Sequence, residues 1–460
     1  MNILIVGAGT VGYSLAEQLS RQGHQVSVVE RNEALCNKIN EKLDVFTVNG
    51  VGTSPQVLES AGIRTAHTVI AVTPWDDTNL VVCNFAKQLG VQRRIARKKS
   101  AEINETGTAI SLTELGVSHV IEPEKEVVRN ILQYVDLPGV TETANFHSGS
   151  VFLRGYRITE DMPVVNQTLY DLNTSLKLQN ILIVLIIRAG MSIIPTGTDT
   201  IMPGDEIIAI MPAESIDQFR QVIDRLRKKL KKVIVSGDTL TAVLLSRELK
   251  AMAEQVIMID PDPKHAQIAS TQLDGVDVLN GDCTETEMLQ EVHAESASFF
   301  IAVGKEPEDN ILACLLAKAE GAGEVVAVSA NERHARLFQQ LGVDHIIFPQ
   351  AITSQSIMDN ILHIPIGALF MFRDADVDIL RVTVEKGSKM AGKPLRELTR
   401  SLMKSAIVGS ICKQDRVIIP SGETVIEPGD EVLVLCHRDN SQYVNNTFRA
   451  GFHLNIGLPG

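Results

Sequence analysis

Nearly the whole of this 460-residue chain is written twice. "ILIVG" at Ile3 returns as "VIVSG" at Val233, and Asn49-Gly50 returns as Asn280-Gly281. "IAVTPWDDTNLVVC" returns as "IAVGKEPEDNILAC", which aligns Asn79 with Asn310 and Cys83 with Cys314. "LGVSHVIEP" returns as "LGVDHIIFP". A second motif recurs without a gap: Ile-Ile-Pro-x-Gly, five residues, then Pro-Gly-Asp-Glu, from Ile193 and again from Ile418. A chain of this length holds three or four ordinary domains, and the repeat arranges them as one two-part module used in tandem.

The large part of the first module begins with an apolar run, Ile3 to Val6, then Gly7-Ala8-Gly9-Thr10-Val11-Gly12. Val11, Leu15 and Leu19 fall on one helical face and Gly23 stops that helix. Val26 to Val29 forms the next strand and Glu30 sits at its end. "DVFTVNG", "HTVIAVT", a helix starting near Asn79, "RIAR" and "LGVSHVIEP" continue the alternation. Such alternation predicts a parallel sheet with helices on both faces. In the small part, Pro203-Gly204 and Pro428-Gly429 are turn signals that predict a hairpin, followed by a helix in "ESIDQFRQVIDRLR". The expected class is α/β: two tandem Rossmann-like domains with parallel sheets, residues 1–135 and 232–365, each followed by a small α+β domain, residues 136–225 and 366–450. The seam is "RLRKKLKK", Arg225 to Lys232, read as a solvated helix end plus linker. "DLPGV" around Pro138-Gly139 breaks the pattern and is a candidate hinge.

Composition removes several function classes. A net charge of −13 argues against a nucleic-acid footprint, which wants a basic face. The longest apolar run, Ile181 to Ile187, is far short of the ~20 residues that cross a bilayer. The N-terminus runs straight into a strand, so no secretory signal is expected. Cys36, Cys83, Cys283, Cys314, Cys412 and Cys436 have no metal-ligand or redox spacing and read as thiols of a reducing compartment.

The G-x-G-x-x-G run at Gly7, Gly9 and Gly12 follows a strand, opens a helix, and has an acid 21 residues beyond Gly9. In that context it reads as a dinucleotide site. Gly7 allows the tight turn, Gly9 leaves room for a pyrophosphate, and Gly12 lets helix and strand lie close. Free N–H groups at the helix start favour phosphate charge. Glu30 can accept hydrogen bonds from the ribose hydroxyls and repel a 2′-phosphate, which favours NAD(H) over NADP(H). Arg31 could recruit a 2′-phosphate or stack on adenine. Thr73-Pro74 ends the fourth strand at the edge where ligands sit, and Asp76 and Thr78 are candidate helix caps. Arg97 can reach phosphate oxygens or pair with a local carboxylate. In the second module Gly237, Asp238, Thr239 and Ala242 replace Gly7, Ala8, Gly9 and Gly12, and Val328 or Ser329 falls at the place of Arg97. That turn is expected to be structural or to take a smaller ligand.

No catalytic constellation accompanies the turn. There is no Ser–His–Asp pattern and no paired catalytic carboxylates. His119 and His345 share one slot, and Asp205-Glu206 and Asp430-Glu431 share another, which favours structural roles. Small domains of about 80 residues are short for substrate domains.

With "GAGTVG" and Glu30, "IAVTPWDDTN", "RIAR" and two "PGDE" segments in place, residues 1 to 450 resemble the TrkA family, regulatory subunits of Trk-type potassium uptake systems within the wider RCK (KTN) group. The resemblance implies an NAD(H)-binding assembly, typically a homo-tetramer, with ATP or ADP as further effectors. It implies a cytoplasmic protein, peripheral on the inner face of the plasma membrane, docked on an integral potassium-translocating subunit (TrkH-like). Carried over by position, the ligand residues are Gly7, Ala8, Gly9, Thr10, Val11, Glu30, Thr73, Pro74 and Arg97; Gly12 and Arg31 join them from the reading above. Members of the family often keep a glycine-rich second turn, and this chain does not. The alternatives are an NAD-dependent dehydrogenase and a regulator of another cation transporter.

Overall fold

Ile3 and Ile5 face one side of the first sheet and Leu4 and Val6 the other, and all four are buried, so the strand is covered on both faces. The computed structural model describes residues 1–99, 111–137, 139–146, 149–175, 180–223, 230–330, 332–361, 368–371, 376–399, 406–413 and 416–450. The first domain contains β1 (Asn2–Val6), α1 (Thr10–Arg21), β2 (Gln25–Glu30), α2 (Glu33–Lys42), β3 (Phe46–Asn49), α3 (Pro55–Ser60), β4 (Thr68–Ala71), α4 (Asp76–Gln88), β5 (Arg93–Arg97), β6 (His119–Ile121) and α5 (Pro123–Asp136). Its strands lie in the order β3-β2-β1-β4-β5-β6, all parallel. Strand order reverses at β1 and β4, the place where such sheets bind ligands.

The first small domain has β7 (Val140–Phe146), β8 (Val151–Arg157), α6 (Leu169–Ser175), β9 (Leu182–Arg188), β10 (Met191–Ile193), β11 (Glu206–Pro212) and α7 (Ile216–Ile223). The second large domain repeats the first: β12 (Leu230–Ser236), α8 (Leu240–Leu249), β13 (Ala253–Asp260), α9 (Pro263–Gln272), β14 (Asp277–Asn280), α10 (Thr286–Glu291), β15 (Phe299–Ala302), α11 (Pro307–Ala319), β16 (Glu324–Val328), α12 (Ala335–Leu341), β17 (His345–Ile347) and α13 (Pro349–Ile361), with order β14-β13-β12-β15-β16-β17. The second small domain closes the sequence with β18 (Ala368–Met371), β19 (Val377–Thr383), α14 (Leu395–Thr399), β20 (Ala406–Lys413), β21 (Arg416–Ile418), β22 (Glu431–His437) and α15 (Ser441–Thr447).

The chain forms two units, and each pairs like with like. Met1–Asp136 and Lys229–His363 make the first; Leu137–Lys228 and Ile364–Gly460 make the second. In the first unit the last helices are exchanged. Val127, Val128, Ile131 and Val135 of α5 join the core of the second domain with Val233, Leu245, Met258 and Phe299. Ile357 and Met358 of α13 join the core of the first domain with Ile3, Leu15, Leu19 and Ile95. Fully burying such side chains contributes roughly 1.5–3 kcal/mol each, so neither large domain completes its core alone. In the second unit the two antiparallel sheets share a core of Leu153, Leu185, Ile208 and Ile210 with Ile379, Leu433 and Leu435.

Three expectations change. The helix after β4 begins at Asp76, not near Asn79; Trp75 is its N-cap residue and makes no side-chain cap. Asp76 instead accepts the Lys99 N–H through Oδ1, at 2.9 Å. The Pro-Gly turns are real, with φ of +86° at Gly204 and +94° at Gly429, but they do not join hairpin partners. β11 pairs with β9 and β8, and the hairpin is β9–β10, turning at Ala189-Gly190 with φ of +50° and +77°. Pro138 of the candidate hinge, and the seam from Arg225 through Lys229, lie outside the described residues. Among the described residues no helix is long and apolar enough to cross a membrane.

Candidate functional site

The glycine turn begins where β1 ends. Gly7 adopts φ +104° and donates its N–H to Val29 O; a side chain there would be strained and would press on the Thr73 backbone. A Cβ on Gly12 would lie 1.9 Å from Gly7 O, so only glycine lets α1 meet the strand end this closely. Gly9 has open space where a side chain would be. It caps α1 with no side-chain hydrogen bond, so the first-turn N–H groups are not taken by a cap.

Glu30 is tied into the turn. Its Oε2 accepts the Ala8 N–H at 2.7 Å and its Oε1 accepts the Asn32 N–H at 2.9 Å. Each carboxylate oxygen has a further lone-pair direction, so hydroxyls can still be accepted. Asn49, whose Nδ2 donates to the Glu30 and Arg31 carbonyls, fixes this strand end. Arg31 neither pairs with a carboxylate among the described residues nor points free: its guanidinium lies over the Trp75 ring.

Thr73 and Pro74 follow β4, and Thr73 is held by a residue that sequence reasoning aligned without assigning a role. Asn79 is fully buried. Its Oδ1 accepts from Thr73 N–H at 3.0 Å and Thr73 Oγ1 at 2.7 Å, and its Nδ2 donates to the Thr73 and Arg97 carbonyls. It staples the ends of β4 and β5 together. Asn310 does the same in the second half, bridging Gly304 and Val328. The recurrence of this asparagine was the available signal. The staple also settles the alignment: Val328, not Ser329, stands where Arg97 does. Arg97 makes no ion pair with a described carboxylate, and its buried Nε has no hydrogen-bond partner. An unmatched buried donor of a guanidinium suits an anionic ligand. The open position at Gly9, the N–H groups of α1, the spare acceptors of Glu30 and the orphaned donor of Arg97 together fit a dinucleotide.

The second turn is filled from within. Lys305, at the place of Pro74, puts Nζ 2.6 Å from Asp238 Oδ2. Thr239 donates to Val303 O at 2.7 Å and accepts the Ala242 N–H, capping α8. Asp260, at the place of Glu30, is buried and accepts from the Asp262 N–H; burial, then the Asp238 charge, raises its pKa. Gly237 survives for packing, since a Cβ would lie 2.7 Å from Gly304 N.

The repeated histidines and aspartates are engaged in local contacts. His345 Nε2 meets Glu324 Oε2 at 2.8 Å, with its ring 4.4 Å from that of Tyr134. His119 Nδ1 meets Ser118 Oγ at 3.1 Å. Asp205 takes both arms of Arg188 at 2.7 Å, and Asp430 pairs with Lys413. No group of metal-ligating side chains occurs among the described residues. A hollow lined by His24, Asp44, Phe46 and Gly62 lies at the starts of β2 and β3, the opposite sheet edge from the turn.

Fold and turn define a tandem Rossmann-type module with one open glycine turn and one internally closed copy. TrkA-N domains match residues 3–123 and 233–349, and TrkA-C domains match 153–224 and 379–449; the chain belongs to the TrkA family of potassium uptake proteins. It is 29% identical to the Trk system potassium uptake protein TrkA of Azorhizobium caulinodans, over 98% of this chain and 99% of that one. It is 27% identical to the TrkA homolog of Archaeoglobus fulgidus, over 98% and 100%. The crystal structure of the GsuK RCK domain superposes with a TM-score of 0.60 at 18% identity, covering 97% of this chain and 94% of that one. The GsuK channel bound to NAD gives 0.60 at 17% identity, covering 97% and 78%.

Proposed function

We propose that the protein is a nucleotide-responsive regulatory subunit of a Trk-type potassium uptake system, with NAD(H) as the ligand of its first turn. The contrast between the turns carries this reading: the first keeps an open Gly9 and an unpaired Arg97 Nε, while the second supplies its own cation and anion. The names of its relatives, and of a structural neighbour bound to NAD, support it. The nucleotide supplies charge and contacts here and is not consumed. Backbone N–H groups of α1 and Arg97 meet its phosphates, and Glu30 meets its ribose. A ligand shifts a conformational equilibrium only through unequal affinity for the states. The two backbone hydrogen bonds of Glu30 support this reading, because the carboxylate proposed to hold the ribose also holds Ala8 and Asn32. Coupling to an integral potassium-translocating partner on the cytoplasmic side is expected at about 1–3 kcal/mol. The assembly proposed is a homo-tetramer, and ADP and ATP are candidate competitors for the same turn.

The test is calorimetry on the full chain with NAD+, NADH, NADPH, ATP and ADP, repeated on Gly9→Asp. The proposal expects NAD(H) to bind wild type and not the variant. Binding that survives Gly9→Asp moves the site elsewhere. Turnover of a reductant with any substrate would instead favour a dehydrogenase.

A further inference from the structure

The carboxyl ends of β2 and β4 are joined by a side-chain contact that the second half lacks. Arg31 Cζ lies 4.0 Å from the centre of the Trp75 ring. β1 runs between those strands and pairs with both, and neighbouring strands are about 4.8 Å apart. The contact therefore reaches across the end of β1, at the mouth of the Gly7–Gly12 turn. Both partners are anchored. The Trp75 backbone N–H donates to Thr73 Oγ1 at 3.3 Å, and the proton of that hydroxyl goes to Asn79 Oδ1. The Arg31 carbonyl accepts from Asn49 Nδ2. Pro261 and Glu306 hold the corresponding places in the closed copy and cannot form such a pair.

A guanidinium beside Glu30 would attract a 2′-phosphate. Stacked on an indole, the same guanidinium is fixed in place and its charge is partly met by the ring. We propose that Trp75 is a positioning residue for nucleotide selectivity: by clasping Arg31 across the end of β1, it withholds that cation from the 2′ position and keeps the site selective for NAD(H) over NADP(H). This rests on the reading that the first turn binds NAD(H).

The experiment measures the Kd of NADH and of NADPH by calorimetry on the full-length chain and its variants. Wild type is expected to favour NADH. In Trp75→Ala the preference should move toward NADPH by about two- to fivefold, the worth of an exposed cation–π contact. Trp75→Phe should stay near wild type, and adding Arg31→Ala to Trp75→Ala should erase the shift. An unchanged ratio in Trp75→Ala overturns the proposal, as does a shift that persists without Arg31. Because Trp75 is the chain's sole tryptophan, its emission gives a second readout that needs no ligand. Arg31→Ala must change that emission, and silence contradicts the clasp. If NADH binds and the ratio cannot be moved, only this inference falls. If wild type binds neither dinucleotide, the NAD(H) reading falls first.

Discussion

Lys305 Nζ lies 2.6 Å from Asp238 Oδ2, so the second half of the molecule carries its own cation and anion at the turn where the first half leaves Gly9 bare. The expected consequence is a stoichiometry of one dinucleotide per chain. Calorimetry checks it: a second, independent NAD(H) event per chain would show that the ion pair opens for ligand.

The pair has a pH signature. Burial alone would raise the Asp238 pKa, but the hydrogen bond and charge of Lys305 outweigh it and hold the carboxyl below its usual 3.8. A depressed carboxyl stabilises the fold above its unfolded-state pKa, about 4. That contribution is lost as pH falls through the folded value. Lys305 is shifted up from 10.5 by Asp238, so its share is lost only as pH rises through a still higher value. The Tm gap between wild type and Asp238→Asn should therefore be present at neutral pH, level between about pH 5 and 9, and closing below about pH 4. Thermal melts across that range decide it; a gap that widens in acid contradicts the assignment.

Gly9 and Gly12 should respond oppositely to added side chains. Gly9→Ala meets open space at φ −61° and should change Tm little while weakening NAD(H) binding tenfold or more, about 1.4 kcal/mol. Gly12→Ala drives a methyl into Gly7 O and should cost about 1–3 kcal/mol of stability. Paired melts and titrations of the two variants test this.

Much of this design is visible in the letters. The continuous apolar runs, the stop at Gly23 and the doubled motifs lead to two parallel sheets with an open first turn. What is not visible depends on contacts between distant segments. No local pattern says that α5 completes the other domain's core, or that Pro74 becomes Lys305 in order to meet Asp238. The sequence showed a misplaced anion at Asp238 but not its neutralisation. The two Pro-Gly turns predicted hairpins because turn chemistry is local, whereas strand pairing in the small domains is set by which edge completes the shared core.

The asparagine staples offer a functional contrast. Asn79→Ala removes the partners of Thr73 and of the Arg97 carbonyl, and should cost about 2–4 kcal/mol of stability and lower NAD(H) affinity. Asn310→Ala should cost a similar amount of stability and leave affinity unchanged. Equal loss of affinity in both would mean that the site is sensed through the whole unit.

Thiol reactivity should follow burial. Burial pushes Cys83 and Cys283 up to about 12 and Cys436 up to about 11, raises Cys314 further, and raises Cys36. Cys412 is the only one of the six that is not buried. Iodoacetamide at about pH 8 should modify Cys412 first and the others only on unfolding, with peptide mapping as the readout.

The central claim is that the first turn is the nucleotide switch for potassium movement. Its most direct test is potassium flux through a Trk-type membrane subunit in proteoliposomes, with this chain as wild type or Gly9→Asp, in the absence and presence of NAD+ and NADH. Flux is expected to change with nucleotide for wild type and to be indifferent to it for Gly9→Asp, with the variant still bound to the membrane subunit. The same nucleotide response from both proteins would contradict it.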